Sequence, residues 1–316
     1  MRAAAARVAA ATLAAASVAA AASSTGAGNA GAPSSRYCDA TSRLTVEDKS
    51  RLLRVADVIR AELERAGAEA AIVSRTGLDL ERWDIRHSHA GIATRQAGAG
   101  PGSPWSVRQL YYACDEGLPR IYDQGLAAFL FGADQPRLGH VSLVLLPAAD
   151  APPLVRAALD NRLALSLLAG RYSANAHAFS TRYQNCNQWL AELLAAGWAG
   201  VAPGADARAA AQRWLGEQGY EPTRVQVRWR PVMWAGALFV PWIHNDDHPE
   251  ADLDAAQYRT TLPAAVEGLV RAQVPGALRV QFCYTAKHVL VRRGWGEAQA
   301  ADCAVQAGDE RVVIEE

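Results

Sequence analysis

Residues 171–198 read RYSANAHAFSTRYQNCNQWLAELLAAGW, and this stretch decides how the rest of the chain is interpreted. It predicts a helix that begins at Cys186, because Asn185 is a good N-cap and Gln188 follows three residues later. We expect the helix to end at Gly197, since glycine is the common residue just past a helix terminus. Apolar residues recur between these limits at helical spacing, at Trp189, Leu190, Leu193, Leu194 and Trp198.

Cys186 occupies the first position of this predicted helix, and two interpretations of it stay open. The unpaired N–H groups and the positive end of the dipole at a helix start favour a thiolate, which is the nucleophilic form of cysteine. Cys186 also stands three, four and seven residues before Trp189, Leu190 and Leu193, so it lies on the apolar stripe. A buried, inert cysteine has the same pattern.

The first residues have the features of a secretory signal. Arg2 and Arg7 precede an apolar run of small residues at 8–22, which ends in a cleavage-like Ala-Ala-Ala-Ser. We therefore predict a signal peptide at 1–22 and a flexible, Ser/Gly/Ala/Pro-rich lead-in at 23–36. The mature protein is expected in the periplasm or secreted, with no transmembrane segment, because no later apolar run has the length that a bilayer requires.

Composition narrows the classes of partner. The chain has 32 basic and 32 acidic residues, and this balance argues against a nucleic-acid partner held by bulk charge. Half of the residues are apolar, which is enough for a sizeable core. The sequence contains no phosphate-binding loop, dinucleotide fingerprint or paired CxxC spacing, so no cofactor is predicted.

The five cysteines suit an oxidising compartment, in which four form two disulfides and one keeps its thiol. Cys186 is the natural odd one out. The other four allow three pairings, of which we favour Cys283 with Cys303 and Cys38 with Cys114. The alternative is that some or all of them stay reduced.

The segment DIRHSHAGIAT predicts a strand over 84–94 with a polar face. Alternation places His87, His89, Gly91 and Ala93 together. Gly91 indicates close approach by a backbone or a ligand. A hydrogen-bonded core histidine remains the alternative for His89. The next predicted strand, at 105–114, carries the polar Gln109 within an otherwise apolar and aromatic run.

The whole pattern predicts an α+β fold in which an antiparallel sheet packs against helices. We divide it into a core at 37–200 and a C-terminal β-rich extension at 201–316, together forming one continuous domain. The remaining predicted elements are helices at 45–66, 125–131, 154–168, 205–219 and 263–272, strands at 70–74, 139–146, 225–229, 234–242 and 311–314, and a hairpin at 278–292.

The segment HNDDHPEADLD at 244–254 concentrates histidines and acids. His244 and His248 are weak metal candidates, since a spacing of four places them on one helix face. Pro249 disfavours a helix at His248, and no third ligand is evident, so no metal site is predicted. The favoured interpretation of the segment is an acidic surface loop or the rim of a cleft.

Several motifs together resemble the permuted NlpC-type papain-like thiol hydrolases. These are SHAGI at 88–92, the polar Gln109 on the following strand, IYDQGLAAFLF at 121–131 and a downstream NC that opens a helix. More narrowly, the chain resembles the bacterial domain-of-unknown-function family 2145 across the mature sequence. That narrower resemblance includes YSANAHAFSTRYQNCNQWLAELL at 172–194, AQRWLGEQGYEP at 211–222, DDHP at 246–249 and RRGW at 292–295.

The broader resemblance implies a permuted papain-like core with Cys186 as nucleophile, His89 as base and Gln109 as the group that orients the base. Gln109 departs from the carboxylate that permuted relatives often carry, and an amide stabilises imidazolium less strongly. His87 is the fallback base. Asn185, Asn187 and Tyr183 are the candidates for a second donor to the oxyanion, beside the backbone N–H of Cys186.

Two functions therefore follow from the sequence. The first is an exported thiol hydrolase or acyltransferase that acts on an amide or ester, with a peptidoglycan peptide or an acyl group as substrate. The second is a non-catalytic periplasmic binding or scaffolding protein on the same fold. The narrower family has no established activity, so the resemblance to it implies no substrate for either function.

Overall fold

The computed structural model of the protein describes residues 44–77, 80–95, 102–113, 116–133 and 135–314. The predicted signal peptide at 1–22, the lead-in at 23–36, and Cys38 and Cys114 lie outside the described residues. The α+β prediction is confirmed, because a large antiparallel sheet packs against helices.

The described strands form one large sheet and one small one. In chain order they are β1 Ala70–Arg75, β2 His89–Arg95, β3 Trp105–Ala113, β4 Leu118–Gly125, β5 Gly139–Leu145, β6 Thr223–Gln226, β7 Gln257–Thr260, β8 Leu278–Tyr284, β9 His288–Arg293 and β10 Glu310–Val313. The large sheet has the order β10-β9-β8-β5-β1-β2-β3-β4, and its neighbouring strands are antiparallel. The small sheet pairs β6 with β7. Residues from both predicted parts of the chain therefore contribute to the large sheet.

The described helices cover both faces of the large sheet. They are α1 Val46–Arg65, α2 Leu126–Leu130, α3 Ala151–Leu159, α4 Asn161–Ser166, α5 Cys186–Ala199, α6 Ala207–Glu217, α7 Arg230–Phe239, α8 Glu250–Asp254 and α9 Pro263–Gln273. A single 3₁₀ turn spans Glu81–Trp83.

Two apolar cores lie on the two faces of the sheet, as the alternation of strand side chains requires. In the first core, Ile72 and Ile92 pack with Trp189 and Leu190 of α5. In the second, Val73 and Ala93 pack with α1 and α2. The helix that begins at Cys186 therefore covers the face formed by alternate residues of β1 and β2.

Local signals predicted some helix limits well. Thr45 and Asp48 form a reciprocal capping box at the start of α1. Asn185 caps α5, with Cys186 in the first helical position. The predicted end of α5 at Gly197 is wrong, because the helix continues to Ala199 and Gly200 adopts the left-handed cap with φ of +64°. Gly197 instead allows close packing with α3, since a Cβ there would lie 3.0 Å from Leu154 Cδ2.

Other predicted boundaries were wrong for physical reasons. β2 begins at His89, five residues later than predicted, because Leu80 and Ile85 form a separate bridge. The edge strand β4 was missed, because most of its residues are exposed and only Pro119 is buried, so it lacks an alternating apolar face. The helix predicted at 154–168 breaks at Asp160, whose side chain caps α4 by accepting from the backbone N–H groups of Arg162 and Leu163.

The strand predicted at 234–242 is wrong, because residues 234–239 belong to α7 and the last three residues follow its end. Pro231 stands at the first turn of this helix, where a missing N–H costs nothing. The continuous apolar run in this segment fits either a buried strand or a helix, so periodicity did not distinguish them.

The predicted Cys283–Cys303 disulfide is present, with the two Cα atoms 5.4 Å apart. It joins the end of β8 to the loop before β10, and both cysteines are buried. Among the described residues, no helix combines the length and apolar character that a bilayer crossing needs.

Candidate functional site

Cys186 lies at the start of α5, as the N-cap signal predicted. The side-chain oxygen of Asn185 accepts a hydrogen bond from the backbone N–H of Gln188 at 2.7 Å. Cys186 itself is 8% exposed and is not part of a disulfide. Its sulfur therefore lies at the positive end of a 14-residue helix, where a thiolate is stabilised.

Asn185 also fixes the helix start to the segment that follows β7. Its Nδ2 donates to Thr260 Oγ1 at 2.9 Å and to the carbonyl of Thr261 at 3.1 Å. The side chain is 2% exposed, and both of its polar atoms are engaged in this way. Asn185 thus acts through helix capping and anchoring in this structure.

Asn187 joins the start of α5 to the start of β2. Its Nδ2 donates to the carbonyl oxygen of Ser88 at 3.0 Å, and the side chain is 1% exposed. Cys186 directly precedes Asn187 in the chain, and His89 directly follows Ser88. A hydrogen bond from the buried Asn187 side chain therefore joins the two segments that carry the predicted nucleophile and base.

His89 and Gln109 form the pair that the sequence predicted for base and orienting group. His89 Nε2 is hydrogen-bonded to Gln109 Oε1 across β2 and β3. An amide oxygen is an acceptor, so Nε2 carries the proton of the neutral ring, and Nδ1 is left as the basic nitrogen. Gln109 is 2% exposed, which fixes its orientation.

The imidazole of His89 lies beside the second core. Its ring centroid is 5.7 Å from that of Phe129 in α2, which belongs to that core. Cys186 belongs to the first core, with Ala90 and Ile92. The His89 ring thus contacts the core on one face of the sheet, whereas Cys186 packs in the core on the other face, and His89 is the first residue of β2.

Gly91 allows β3 to approach β2 closely at this pair, as the sequence predicted. A Cβ at Gly91 would lie 2.8 Å from the carbonyl oxygen of Arg108 and 2.7 Å from Val107 Cγ1. Both distances are too short for any side chain beyond glycine. Gly91 therefore sets the spacing that lets His89 and Gln109 bond across the strands.

A cleft of about 230 Å³ lies against Gln109. Its walls are largely aromatic and amide side chains. The lining residues are Gln109, Tyr111, Tyr122, Gln124, Ala128, Phe131 and Gly132. Cys186 and His89 are not among these residues, so the cleft lies beside Gln109 and the thiol does not line it.

A buried ion pair supports the loop that precedes Cys186. Glu192 of α5 is fully buried and accepts hydrogen bonds from Arg208, Gln184 and Gln212. Burial raises the pKa of this carboxyl group, while its donors favour the charged form. Arg208 also donates to the carbonyl oxygens of Thr181 and Tyr183. The ion pair therefore holds the loop before Asn185 in position.

Tyr183 has a structural environment in this loop. Its ring stacks on His244 with centroids 4.3 Å apart, and the Arg171 guanidinium lies 4.6 Å above the ring. The hydroxyl donates to Asp246 Oδ2 at 3.3 Å. Together with the contacts of Asn185 and Asn187, this arrangement makes the backbone N–H groups at the start of α5 the best-placed donors for an oxyanion.

His87, the fallback base, lies outside β2, so the predicted alternation does not extend to it. Its Nε2 is buried without a hydrogen-bond partner. Burial lowers the pKa of His87 well below the usual range, and His140, Arg279 and Arg86 lower it further. A histidine held neutral in this way is a weak base.

The weak metal candidates His244 and His248 do not lie on one helix, because helix α8 begins at Glu250, beyond both. His244 stacks on Tyr183, whereas His248 Nε2 bonds to the carbonyl oxygen of Asn175 at 2.8 Å. Among the described residues, one group of three has the spacing of metal ligands, namely His140, Cys283 and Cys303. Its two sulfurs are joined in the disulfide.

A buried polar cluster around His248 was missed by the sequence analysis. His177 Nε2 lies 4.0 Å from Asp252 Oδ2, and His248 Nε2 lies 3.5 Å from Asp247 Oδ1. Burial lowers the pKa of both histidines and raises that of Asp247. His177 lies about 70 positions before its partners, so no local pattern predicts this cluster.

The fold and this geometry define an α+β protein in which Cys186 begins a helix, and His89, the first residue of β2, bonds to Gln109 within β3. A family model described as "Uncharacterized protein conserved in bacteria (DUF2145)" matches residues 62–270. The chain belongs to this bacterial family. No curated protein and no solved structure matches the chain.

Proposed function

We propose that this protein is an exported thiol hydrolase or acyltransferase with a permuted papain-like active site at the start of α5. The observation that carries the proposal is the Asn187–Ser88 hydrogen bond, which joins the segment of Cys186 to that of His89. The His89–Gln109 bond supports it, because it leaves Nδ1 as the basic nitrogen.

In the proposed reaction, His89 Nδ1 takes the proton of the Cys186 thiol, and the sulfur attacks the carbonyl carbon of an amide or ester. The new bond is S–C, and the C–N or C–O bond to the leaving group breaks. His89 returns the proton to the leaving amine or alcohol. Water or an acceptor nucleophile then attacks the thioester and releases Cys186.

The backbone N–H groups at the start of α5 stabilise the oxyanion in this proposal, together with the helix dipole. Gln109 orients His89 without a negative charge, so the imidazolium is stabilised less than beside a carboxylate. The cleft beside Gln109 accommodates the acyl or peptide group. A peptidoglycan peptide and an acyl group remain the two proposed substrate classes.

A binding or scaffolding protein is the second candidate, and one observation favours it. Cys186 packs within the first apolar core, which is typical of a structural cysteine. In that case the aromatic cleft would hold a ligand without reacting with it.

Labelling by a thiol-directed acylating probe separates the two candidates. The proposal predicts that the protein labels at Cys186, that Cys186→Ala abolishes labelling, and that His89→Ala slows it by about 10²–10⁴-fold, the usual contribution of a general base. Circular dichroism controls for folding. His244→Ala is the matched histidine control and should label normally. Equal labelling of the Cys186→Ala protein at another position would end the catalytic proposal.

A further inference from the structure

Helix α7 carries apolar residues on both its inner and outer sides. Residues 231–242, PVMWAGALFVPW, contain no polar side chain. Within α7, all of which the structure describes, Met233 is the one buried residue. A helix that is apolar all round is normally buried, so the outward side of α7 requires a cover.

The outward side of α7 is made of large side chains. Leu238 and Phe239 are each 76% exposed, and Trp229, Val232 and Trp234 are more than half exposed. Large exposed apolar patches of this kind mark surfaces that bind a protein or a membrane.

The charges near α7 favour a membrane over a protein as the partner of this surface. Between Pro222 and Asn245 the chain carries Arg224, Arg228 and Arg230 and no acidic residue. Arg230 forms an ion pair with Asp254 at 2.7 Å, whereas the guanidinium of Arg228 lies 4.8 Å from the Trp229 ring centroid. Arg224 and Arg228 are exposed, and Arg228 lies against the exposed Trp229 at the start of α7. Arginine and tryptophan next to Leu and Phe are typical of helices that lie in the headgroup region of an anionic bilayer.

The length of the segment agrees with this position. Apolar runs of about 10–14 residues are too short to cross a bilayer and occur as interfacial segments. We infer that α7 docks the protein on the surface of an anionic membrane, with Leu238 and Phe239 inserted among the acyl chains and Arg224 and Arg228 at the lipid phosphates. The inference does not depend on the proposed chemistry.

Flotation with vesicles tests the inference on the full chain. We expect binding to phosphatidylglycerol-rich vesicles, and much weaker binding to phosphatidylcholine vesicles. Leu238→Asp/Phe239→Asp should weaken binding about 100-fold, because two large apolar side chains lose their burial. Arg224→Gln/Arg228→Gln should weaken binding to the anionic vesicles about fivefold per arginine.

Leu159→Asp/Leu165→Asp is the matched control, since both leucines are more than half exposed on α3 and α4. That variant should bind as the wild type does. A local readout comes from brominated lipids, which should quench the wild type more than Trp229→Phe/Trp234→Phe.

Three results would overturn the inference. The first is flotation of the Leu238→Asp/Phe239→Asp protein equal to that of the wild type, which would assign binding to another part of the chain such as residues 8–22. The second is equal quenching of the wild type and Trp229→Phe/Trp234→Phe by brominated lipids. The third is a wild type that is a dimer without vesicles and a double aspartate variant that is a monomer, which would mean that a second copy covers α7.

Discussion

The Nδ2 atom of Asn187 donates a hydrogen bond to the carbonyl oxygen of Ser88 at 3.0 Å, and this half-buried contact joins the start of α5 to the start of β2. Ninety-nine positions of chain separate the two residues. Because the bond lies between the neighbours of Cys186 and His89, the proposed chemistry depends on its geometry.

Asn187→Ala tests this dependence. The substitution leaves the Ser88 carbonyl without its donor, so we expect a loss of about 1–3 kcal/mol in the free energy of unfolding. Alkylation of Cys186 should slow by at least about tenfold, because small displacements of reacting groups are costly. Urea unfolding and timed iodoacetamide labelling measure the two effects.

Asn161→Ala is the control for Asn187→Ala, since Asn161 is an exposed residue at the start of α4. It should change the free energy of unfolding by less than about 0.5 kcal/mol. Unchanged labelling in Asn187→Ala would show that the bond is structural and has no part in positioning the thiol.

Replacing Gln109 tests its role in orienting His89. Gln109→Glu places a carboxylate against His89 Nε2, which stabilises imidazolium and should lower the pH at which Cys186 is half-alkylated at a fixed time. Gln109→Leu removes the acceptor and should shift that pH upward. Gln124→Glu, which adds the same charge to the same cleft, is the control and should have the smaller effect. Identical pH profiles for all of these proteins would exclude an orienting role for Gln109.

The buried Glu192–Arg208 pair should contribute strongly to the integrity of the loop before Cys186. Arg208→Met leaves Glu192 buried without its counter-charge, so a loss of about 3–5 kcal/mol in the free energy of unfolding is expected. Glu192→Gln combined with Arg208→Met should recover part of this loss, because the buried charge is then gone.

The exposed pair Arg182–Asp246 provides the comparison for this experiment. Arg182→Met should cost no more than about 1 kcal/mol, as exposed ion pairs usually do. Urea unfolding of the variants measures these differences. Equal losses in the free energy of unfolding for Arg208→Met and Arg182→Met would show that the buried Glu192–Arg208 pair contributes no more to stability than the exposed pair does.

Acid should destabilise the protein through its buried histidines. Burial and the nearby Arg86 together lower the pKa of His140 to about 4, whereas an unfolded histidine has a pKa of about 6.5. Between these two pKa values, the unfolded state therefore binds a proton at His140 that the folded state does not bind. The stability associated with neutral His140 is complete above pH 6.5 and is lost as the pH falls toward about 4.

The lowered pKa values of His87, His177 and His248 act in the same direction. The raised pKa of Asp247 acts the opposite way, since its contribution is present in acid and is lost as the pH rises through its folded value. His140→Gln should flatten the dependence of the free energy of unfolding on pH by up to about 1.4 kcal/mol per pH unit between pH 6.5 and 4. An unchanged slope in urea titrations would contradict this assignment.

The sequence predicted the parts of the site that depend on local chemistry. The start of α5 followed from Asn185 and Gln188, because an N-cap is recognised within four residues. The close approach of another backbone at Gly91 likewise followed from the presence of a glycine within a strand. The sequence did not predict that Asn187 bonds to Ser88, because the partner lies in a distant strand.

The errors have a similar physical origin. The sequence predicts a helix end at Gly197, whereas tertiary packing against α3 explains this glycine within α5. It predicts a strand around Trp234, because a run without polar residues has no period that separates a helix from a strand. The association of His177 with Asp252 depends on tertiary structure, because the two residues are far apart in the chain.

The account rests on Cys186 reacting as a thiolate with His89 as its base, and the pH dependence of its alkylation tests this most directly. Wild-type protein should be alkylated at Cys186 with an apparent pKa below that of ordinary cysteine, about 8.5, and His89→Ala should raise that pKa and slow the reaction. Coincident profiles for the wild type and His89→Ala, both titrating near 8.5, would contradict the account.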